Sequence, residues 1–167
     1  MVDYKVGDNA VYAGHGVGNI VAIETTEMFG RKQTFYRIQI LETGMKILVP
    51  TDNAESRGLR PIISNEEAEK VLGIVREKKL KIDNQTWNRR YREYMEKIKT
   101  GSVYEIAEVF RDLYLLKGEK ELSFGEKKML DMARGLLLRE LALAKSPEEL
   151  NSQEDLAQIF DLKKAQN

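Results

Sequence analysis

The chain has 167 residues, of which 42% are hydrophobic and 32% are charged, and it contains no cysteine. Lysine plus arginine equals aspartate plus glutamate at 27 each, so a nucleic-acid partner cannot be inferred from net charge and must be sought in the local charge distribution. The lack of cysteine excludes disulfides, thiolate zinc sites and cysteine nucleophiles. No apolar run approaches the ~20 residues of a membrane helix, and the first residues do not resemble a secretory signal, so we expect a cytoplasmic protein.

Residues 6–61 have the pattern of a small antiparallel β-domain. Their apolar residues fall in short runs of strand length that are rich in β-branched and aromatic side chains. Glycine-containing segments separate these runs and suit hairpin turns, because glycine tolerates a positive φ. We predict an antiparallel β-barrel of about five strands, similar to SH3 and Tudor modules, as a domain over residues 1–62.

Beyond this domain the apolar residues recur with the period of helices. Ser-x-x-Glu capping boxes predict four helix starts, since each serine accepts from an otherwise unpaired amide and each glutamate bonds back to the serine amide. The four boxes are Ser64/Glu67, Ser102/Glu105, Ser123/Glu126 and Ser146/Glu149. Gly101 and Gly118 suit helix ends.

A further helix is predicted from near Thr86 to about Lys99, which leaves residues 79–85 as a polar connection. Two of the capped helices carry apolar stripes at three- and four-residue spacing, so we expect them to pack on one another. The last stretch, after Asn151, is expected to be partly frayed. These elements predict an all-α domain of about five helices over residues 63–167, and hence a two-domain α+β protein.

His15 is the only histidine and lies in a glycine-rich segment, residues 14–18. One histidine could serve as a general base, but no nucleophile, carboxylate pair or second histidine stands at a recognisable spacing. The glycines precede a strand and lack the Gly-Lys-Ser/Thr ending of a phosphate-binding loop. We therefore interpret His15 as a structural turn residue and predict neither a metal site nor an enzyme.

The stretch from Arg76 to Thr100 holds nine basic residues against four acidic ones. Such a stretch can contact phosphates or form a solvated helix face of mixed charge. Trp87, the only tryptophan, stands at the start of the predicted basic helix. Helical spacing aligns it with later apolar residues and indicates core packing, whereas an exposed first turn would let the ring stack on an unpaired base while Arg89 and Arg90 contact phosphates. The spacing leaves both interpretations open.

Several longer segments carry a family resemblance. They are residues 87–94 (WNRRYREY), 107–113 (AEVFRDL) and 123–130 (SFGEKKML), preceded in the β-domain by 6–8 (VGD), 11–12 (VY), 15–18 (HGVG) and 49–50 (VP). In this order they closely resemble the CarD/CdnL family, especially its CdnL branch, over essentially residues 3–145. Such extended, ordered agreement is more specific than any one short motif.

The resemblance implies that the β-domain is similar to the polymerase-interacting domain of transcription-repair coupling factors and docks on the RNA polymerase β subunit. By local alignment, Ile38, Met45 and Pro50 are similar to parts of that contact surface. Ile38 also alternates within a strand, and periodicity alone makes a core position an equal alternative. Some members have arginine where this sequence has Thr26 and Leu48, which implies a less electrostatic contact here.

The resemblance further implies that Trp87 acts as a wedge at the upstream edge of the promoter bubble, with Arg89 and Arg90 on DNA. An unstacked base step costs a few kcal/mol, and an aromatic ring in the opened minor groove can offset part of that cost. We therefore expect a protein that stabilises open complexes at housekeeping promoters, including ribosomal RNA promoters, without reading base sequence. No cofactor, nucleotide, metal, membrane or small-molecule substrate is implied.

Two other classes of function remain as alternatives. In a pure interaction adaptor, the barrel would bind a protein and the helices would support it or bind another protein without touching DNA. A nuclease that uses carboxylates and a divalent ion would require clustered carboxylates, and the sequence has no evident cluster.

Overall fold

The structure is a computed structural model that describes residues 3–78 and 86–161. The chain divides into two compact units, Met1–Ile62 and Ile63–Asn167, called the β-unit and the helical unit below. The predicted polar connection at residues 79–85 lies outside the described residues. Within the described ranges, no helix is long and apolar enough to cross a membrane.

The β-unit contains one antiparallel sheet of five strands, in the order β4-β3-β2-β1-β5. The strands are β1 Asn9–Tyr12, β2 Gly16–Met28, β3 Arg31–Ile40, β4 Lys46–Pro50 and β5 Leu59–Pro61. A short 3₁₀ turn, Thr51–Asn53, connects β4 to the segment before β5. All five strands contribute side chains to one buried cluster, as in a small barrel.

Every second side chain in the last part of β3 points into this cluster. Tyr36, Ile38 and Ile40 are buried, while the residues between them are only partly buried and lie on the outer face of the sheet. Gly18 on β2 lies against this core, because a Cβ at that position would approach the Ile38 Cγ2 atom to 2.5 Å. The predicted strands therefore form, and glycine at position 18 allows β2 and β3 to pack closely.

The helical unit contains six helices among its described residues. They are α1 Asn65–Val75, α2 Trp87–Lys99, α3 Val103–Lys117, α4 Phe124–Ala144, α5 Pro147–Asn151 and α6 Glu154–Ile159. The predicted helix from near Thr86 to about Lys99 is confirmed, and α3 and α4 share one apolar core.

The stretch after Asn151 was expected to be partly frayed; its described part forms α6, and residues 162–167 lie outside the described residues. Leu156 and Phe160 are buried in the helical core. The Phe160 ring stacks on Phe110 of α3 with the ring centroids 5.1 Å apart. Long-range packing of these two side chains therefore holds a short helix that local propensity alone does not sustain.

Two of the four predicted capping boxes are complete, and they begin α1 at Ser64/Glu67 and α4 at Ser123/Glu126. Ser146 accepts a hydrogen bond from the Glu149 amide at the start of α5.

The Ser102/Glu105 box is wrong, because the Ser102 side chain makes no cap hydrogen bond. Instead the Thr100 hydroxyl donates to the Glu105 carboxylate and accepts from the Ser102 amide. Gly101 adopts a positive φ of 76° just after α2, as a C-terminal glycine should.

Candidate functional site

Trp87 is the first residue of α2 and is partly buried. It packs against the core of the helical unit. Its ring centroid lies 5.8 Å from that of Tyr91, in an edge-on arrangement, and 6.4 Å from that of Tyr94. Trp87 therefore packs partly against the core, as its helical spacing indicated, and stays partly exposed; a role on DNA remains a prediction.

The edge of the Trp87 indole lies against Gly125, in the first turn of α4. A Cβ built on Gly125 would lie 3.1 Å from the indole Nε1 atom and 3.6 Å from Cε2 and Cζ2. An approach of 3.1 Å is closer than ordinary van der Waals contact between such atoms. Only glycine therefore leaves room for the ring as it is placed.

Arg90 does not present a free cation to solvent. Its side chain is 13% exposed, and its guanidinium carbon lies 5.4 Å from the centroid of the Trp87 ring, within the range of a cation–π contact. The Arg90 Nη2 atom also lies 3.5 Å from a carboxylate oxygen of Glu126. The expected phosphate contact of Arg90 stays a prediction, with little exposed guanidinium surface to make it, because this group is largely buried and already faces a carboxylate.

Glu126 is almost fully buried and closes the cap of α4. Its carboxylate accepts from the Ser123 amide at 2.9 Å and from the Lys120 ammonium at 3.0 Å. Burial raises the pKa of Glu126, but these hydrogen bonds outweigh it and hold the pKa below the ordinary value. Glu126 therefore stays ionised and can anchor Arg90.

Tyr94 lies close to Trp87 and Arg90, and its phenol is neutral. Burial raises the pKa of Tyr94, the negative charge of Asp112 raises it further, and the positive charge of Arg90 opposes both. The phenol therefore remains protonated at neutral pH, and the neighbourhood of the tryptophan gains no additional negative charge from it.

Several aromatic and basic side chains near Trp87 in the sequence of α2, or next to its contact residue Gly125 on α4, are exposed. Arg89, Tyr91 and Arg92 of α2 are exposed. Phe124, the chain neighbour of Gly125, is 82% exposed. Sequence reasoning missed Phe124, although a phenylalanine directly after an N-cap serine and off the apolar stripe of α4 is a signal that could have found it.

In the β-unit, Ile38 is fully buried in the core cluster. Its expected role as a polymerase contact is therefore corrected, because a side chain without accessible surface cannot touch a partner. Met45 precedes β4 and is 49% exposed, while Pro50 at the end of β4 is partly buried. Leu48, on the outer face between them, is also 49% exposed.

An ion pair lies on the same outer face. Arg37, the register partner of Leu48, donates to the two carboxylate oxygens of Glu24 at 2.7 and 2.9 Å. The hydrogen bonds from Arg37 lower the pKa of Glu24, and the carboxylate raises that of Arg37. Leu48 and Pro50 therefore lie beside a neutral, geometrically fixed ion pair on strands β2 and β3.

His15 lies in the turn between β1 and β2. Its ring stacks on Tyr12 with the centroids 5.3 Å apart, and its amide donates to the Tyr12 carbonyl at 2.9 Å. These contacts are those of a turn residue. Among the described residues, no group of three or more His, Cys, Asp or Glu side chains is arranged to hold a metal ion.

A five-stranded β-unit followed by an all-helical unit defines the chain as a two-domain α+β protein, so the predicted fold class is confirmed. Residues 4–63 match the family model of the CarD-like/TRCF RID domain, and residues 70–157 match that of the CarD C-terminal domain. The chain therefore belongs to the CarD/CdnL family of transcription factors.

Two known proteins illustrate the similarity. The putative transcription factor YdeB of Bacillus subtilis (strain 168) is 38% identical over 147 residues, which are 87% of this chain and 95% of YdeB. The solved structure of CdnLNt from Myxococcus xanthus is 50% identical and covers 38% of this chain and 90% of its own, with a TM-score of 0.32.

Proposed function

We propose that the chain binds the RNA polymerase β subunit through its β-unit and contacts the upstream edge of the promoter bubble through its helical unit. It thereby stabilises the open complex at housekeeping promoters, including those of ribosomal RNA, and is associated with the nucleoid through polymerase. The observation that carries the proposal is the partly exposed Trp87 ring at the start of α2, with the exposed cation Arg89 two residues on.

The aromatic ring and the exposed cations have different roles in this proposal. Arg89 and Arg92 supply sequence-independent attraction to phosphates. The Trp87 ring stacks on or wedges beside an unpaired base, with a contribution of about 1–3 kcal/mol per stacked base. Contact with both a phosphate and an unstacked base favours melted DNA over duplex, and the bubble then closes more slowly.

The polymerase contact is assigned to the outer face of the β-unit. Leu48 and Pro50 give this face an apolar surface beside the Arg37–Glu24 ion pair, and the exposed Met45, just before β4, is a further contact in this proposal. The β-unit then acts as a tether that raises the effective concentration of the weakly binding helical unit at the promoter. The match of residues 4–63 to the CarD-like/TRCF RID domain supports this assignment.

Site-specific photo-cross-linking tests the DNA contact and separates it from the adaptor alternative. A photoreactive amino acid at the exposed Tyr91, one turn from Trp87, is expected to cross-link to the upstream edge of the bubble in the polymerase–promoter complex. The same group at the exposed Lys70 on α1 is the control. Protein cross-links from position 91 without any DNA product would contradict the proposal and favour the adaptor.

A further inference from the structure

Trp87 is contacted by residues of two helices, and the contacts differ in kind. Tyr91 and Tyr94 meet the ring within α2, Arg90 lies over it, and Gly125 of α4 lies against its edge. A side chain that only filled the core would need none of the charged contacts. A side chain that was only exposed to solvent would need none of the packing against the tyrosines and Gly125.

We propose that Gly125 and Arg90, the latter anchored by Glu126, are positioning residues that hold the Trp87 indole in one orientation before it meets DNA. The functional part of this inference rests on the proposed promoter contact. None of the three touches the unpaired base. They act through the tryptophan, whose ring is then already ordered when the complex forms.

The Gly125 contact sets where the indole edge can lie. The first turn of α4 is held by the Ser123/Glu126 capping box, whose two hydrogen bonds are 2.9 and 3.2 Å long. Its backbone therefore resists displacement. A methyl group at Gly125 would lie 3.1 Å from the indole Nε1 atom, so the indole edge must give way by a few tenths of an ångström.

The Arg90 contact determines which face of the ring carries a cation. Glu126 is held by the Ser123 amide and the Lys120 ammonium, so its carboxylate cannot follow a moving partner. Arg90 lies between this fixed carboxylate and the ring, 3.5 Å from one and 5.4 Å from the centroid of the other. A continuous series of contacts thus joins the cap of α4 to the Trp87 ring.

The test uses the whole 167-residue chain, in which Trp87 is the only tryptophan. Its indole N–H therefore gives a single resonance in a proton–nitrogen correlation spectrum, and its fluorescence reports one ring. Gly125→Ala is expected to shift this resonance and to raise quenching by acrylamide. The matched control is Gly73→Ala, also in a helix, exposed, and with nothing within 4 Å of the added methyl group.

Arg90 variants supply the second measurement without touching the α4 backbone. Arg90→Gln removes the cation and is expected to change the indole resonance and fluorescence, while Arg90→Lys restores part of the wild-type signal. Far-UV circular dichroism and thermal unfolding verify that each variant folds. A wild-type indole signal in both Gly125→Ala and Arg90→Gln would overturn the inference, as would an equal shift in Gly73→Ala.

Open-complex lifetimes separate this inference from the proposed function. Ordering one side chain during binding weakens the complex by about two- to tenfold, so Gly125→Ala and Arg90→Gln are expected to shorten the lifetime by that factor and Trp87→Ala by more. If Trp87→Ala shortens it but neither positioning variant does, the inference is overturned and the proposed function stands. If Trp87→Ala has no effect, the proposed function fails. The indole signals alone then decide whether Gly125 and Arg90 position the Trp87 ring.

Discussion

Ile38 and Leu48 lie on neighbouring strands of the β-unit but on opposite faces of its sheet. Ile38 pairs with Ile47 and points into the core, whereas Leu48 pairs with Arg37 and is exposed. One position therefore supports folding and the other offers a surface. The alternation of side chains between the two faces of the sheet produces these two outcomes, since Arg37 and Leu48 form the register pair next to Ile38 and Ile47.

We expect Ile38→Ala to destabilise the β-unit and Leu48→Ala to leave its stability nearly unchanged. The buried truncation should lower the free energy of unfolding by about 2–5 kcal/mol, while the exposed one should change it by less than about 0.5 kcal/mol. Urea unfolding measures both values. In a polymerase pull-down we expect Leu48→Ala to weaken binding although it stays folded, and full binding by that variant would remove Leu48 from the contact surface.

Arg89 and Arg90 show which contacts of a single residue cannot be predicted from the local sequence. They are adjacent and chemically identical, and no spacing rule separates them, so both were predicted to contact phosphates. The structure separates them because Glu126, 36 residues further along the chain from Arg90, lies at 3.5 Å from the Arg90 guanidinium. A tertiary contact of this kind has no signal in the local pattern.

Glu126 gives a pH-dependent prediction. Its pKa is below the ordinary value in the folded state, so its contribution to stability is present above the unfolded-state pKa and is lost as pH falls through the folded value. Glu126→Gln should therefore lower the free energy of unfolding by about 2 kcal/mol at pH 7. Between about pH 7 and about pH 5 this difference should stay constant, and urea titrations continued below the unfolded-state pKa, to about pH 2.5, should show it shrinking. A difference independent of pH would mean that the loss arises from packing and not from charge.

At the scale of elements, the helix starts were predicted better than the atoms that cap them. Serine and glutamate at the correct spacing mark the beginning of α1, α3 and α4, and all three helices begin there. At α3, however, the Ser102 hydroxyl makes no cap bond, and the Thr100 hydroxyl replaces the Glu105 carboxylate as the acceptor for the Ser102 amide. Spacing identifies candidates, and the geometry of the preceding turn decides which hydroxyl is used.

Ser64 and Ser102 form a matched pair for testing this difference. The Ser64 hydroxyl accepts from the Glu67 amide at 3.1 Å, whereas the Ser102 hydroxyl makes no cap bond. We expect Ser64→Ala to lower the free energy of unfolding of the helical unit by about 1 kcal/mol and Ser102→Ala by less than about 0.5 kcal/mol. Chemical denaturation followed by helical circular dichroism measures both, and equal losses would contradict the assignment of the caps.

The short helix α6 was missed for a different reason. Six residues carry too little intrinsic helix stability to be recognised, and its formation depends on the burial of Leu156 and the stacking of Phe160 on Phe110. Stability that comes from contacts 50 residues apart in sequence cannot be inferred from a local window. The strands, in contrast, were predictable, because their alternation and glycine turns are local properties.

At the scale of the whole molecule, the proposed function requires both units on one chain. Each unit has its own core, so the units can differ in partner while the covalent link brings the two binding events together. A short connection produces an effective concentration of about the millimolar range. Under the proposed function, even a weak affinity of the helical unit for DNA would then be sufficient at micromolar protein.

We therefore expect the two halves, residues 1–62 and 63–167, to fail when mixed as separate fragments. At micromolar concentrations the first should bind polymerase, the second should remain folded by circular dichroism, and the mixture should not lengthen the open-complex lifetime that the intact chain lengthens. If residues 63–167 alone match the intact chain at the same concentration, the tethering role of the β-unit is wrong.

The central claim is that Trp87 slows closure of the promoter bubble. Its most direct test is the lifetime of the open complex at a ribosomal RNA promoter, formed by polymerase with its housekeeping sigma factor and challenged with a competitor. The wild-type chain should lengthen the lifetime, and Trp87→Ala should bind polymerase equally well and lengthen it at least about tenfold less, the factor equivalent to about 1.4 kcal/mol of lost stacking. A Trp87→Ala chain as effective as wild type would contradict the account.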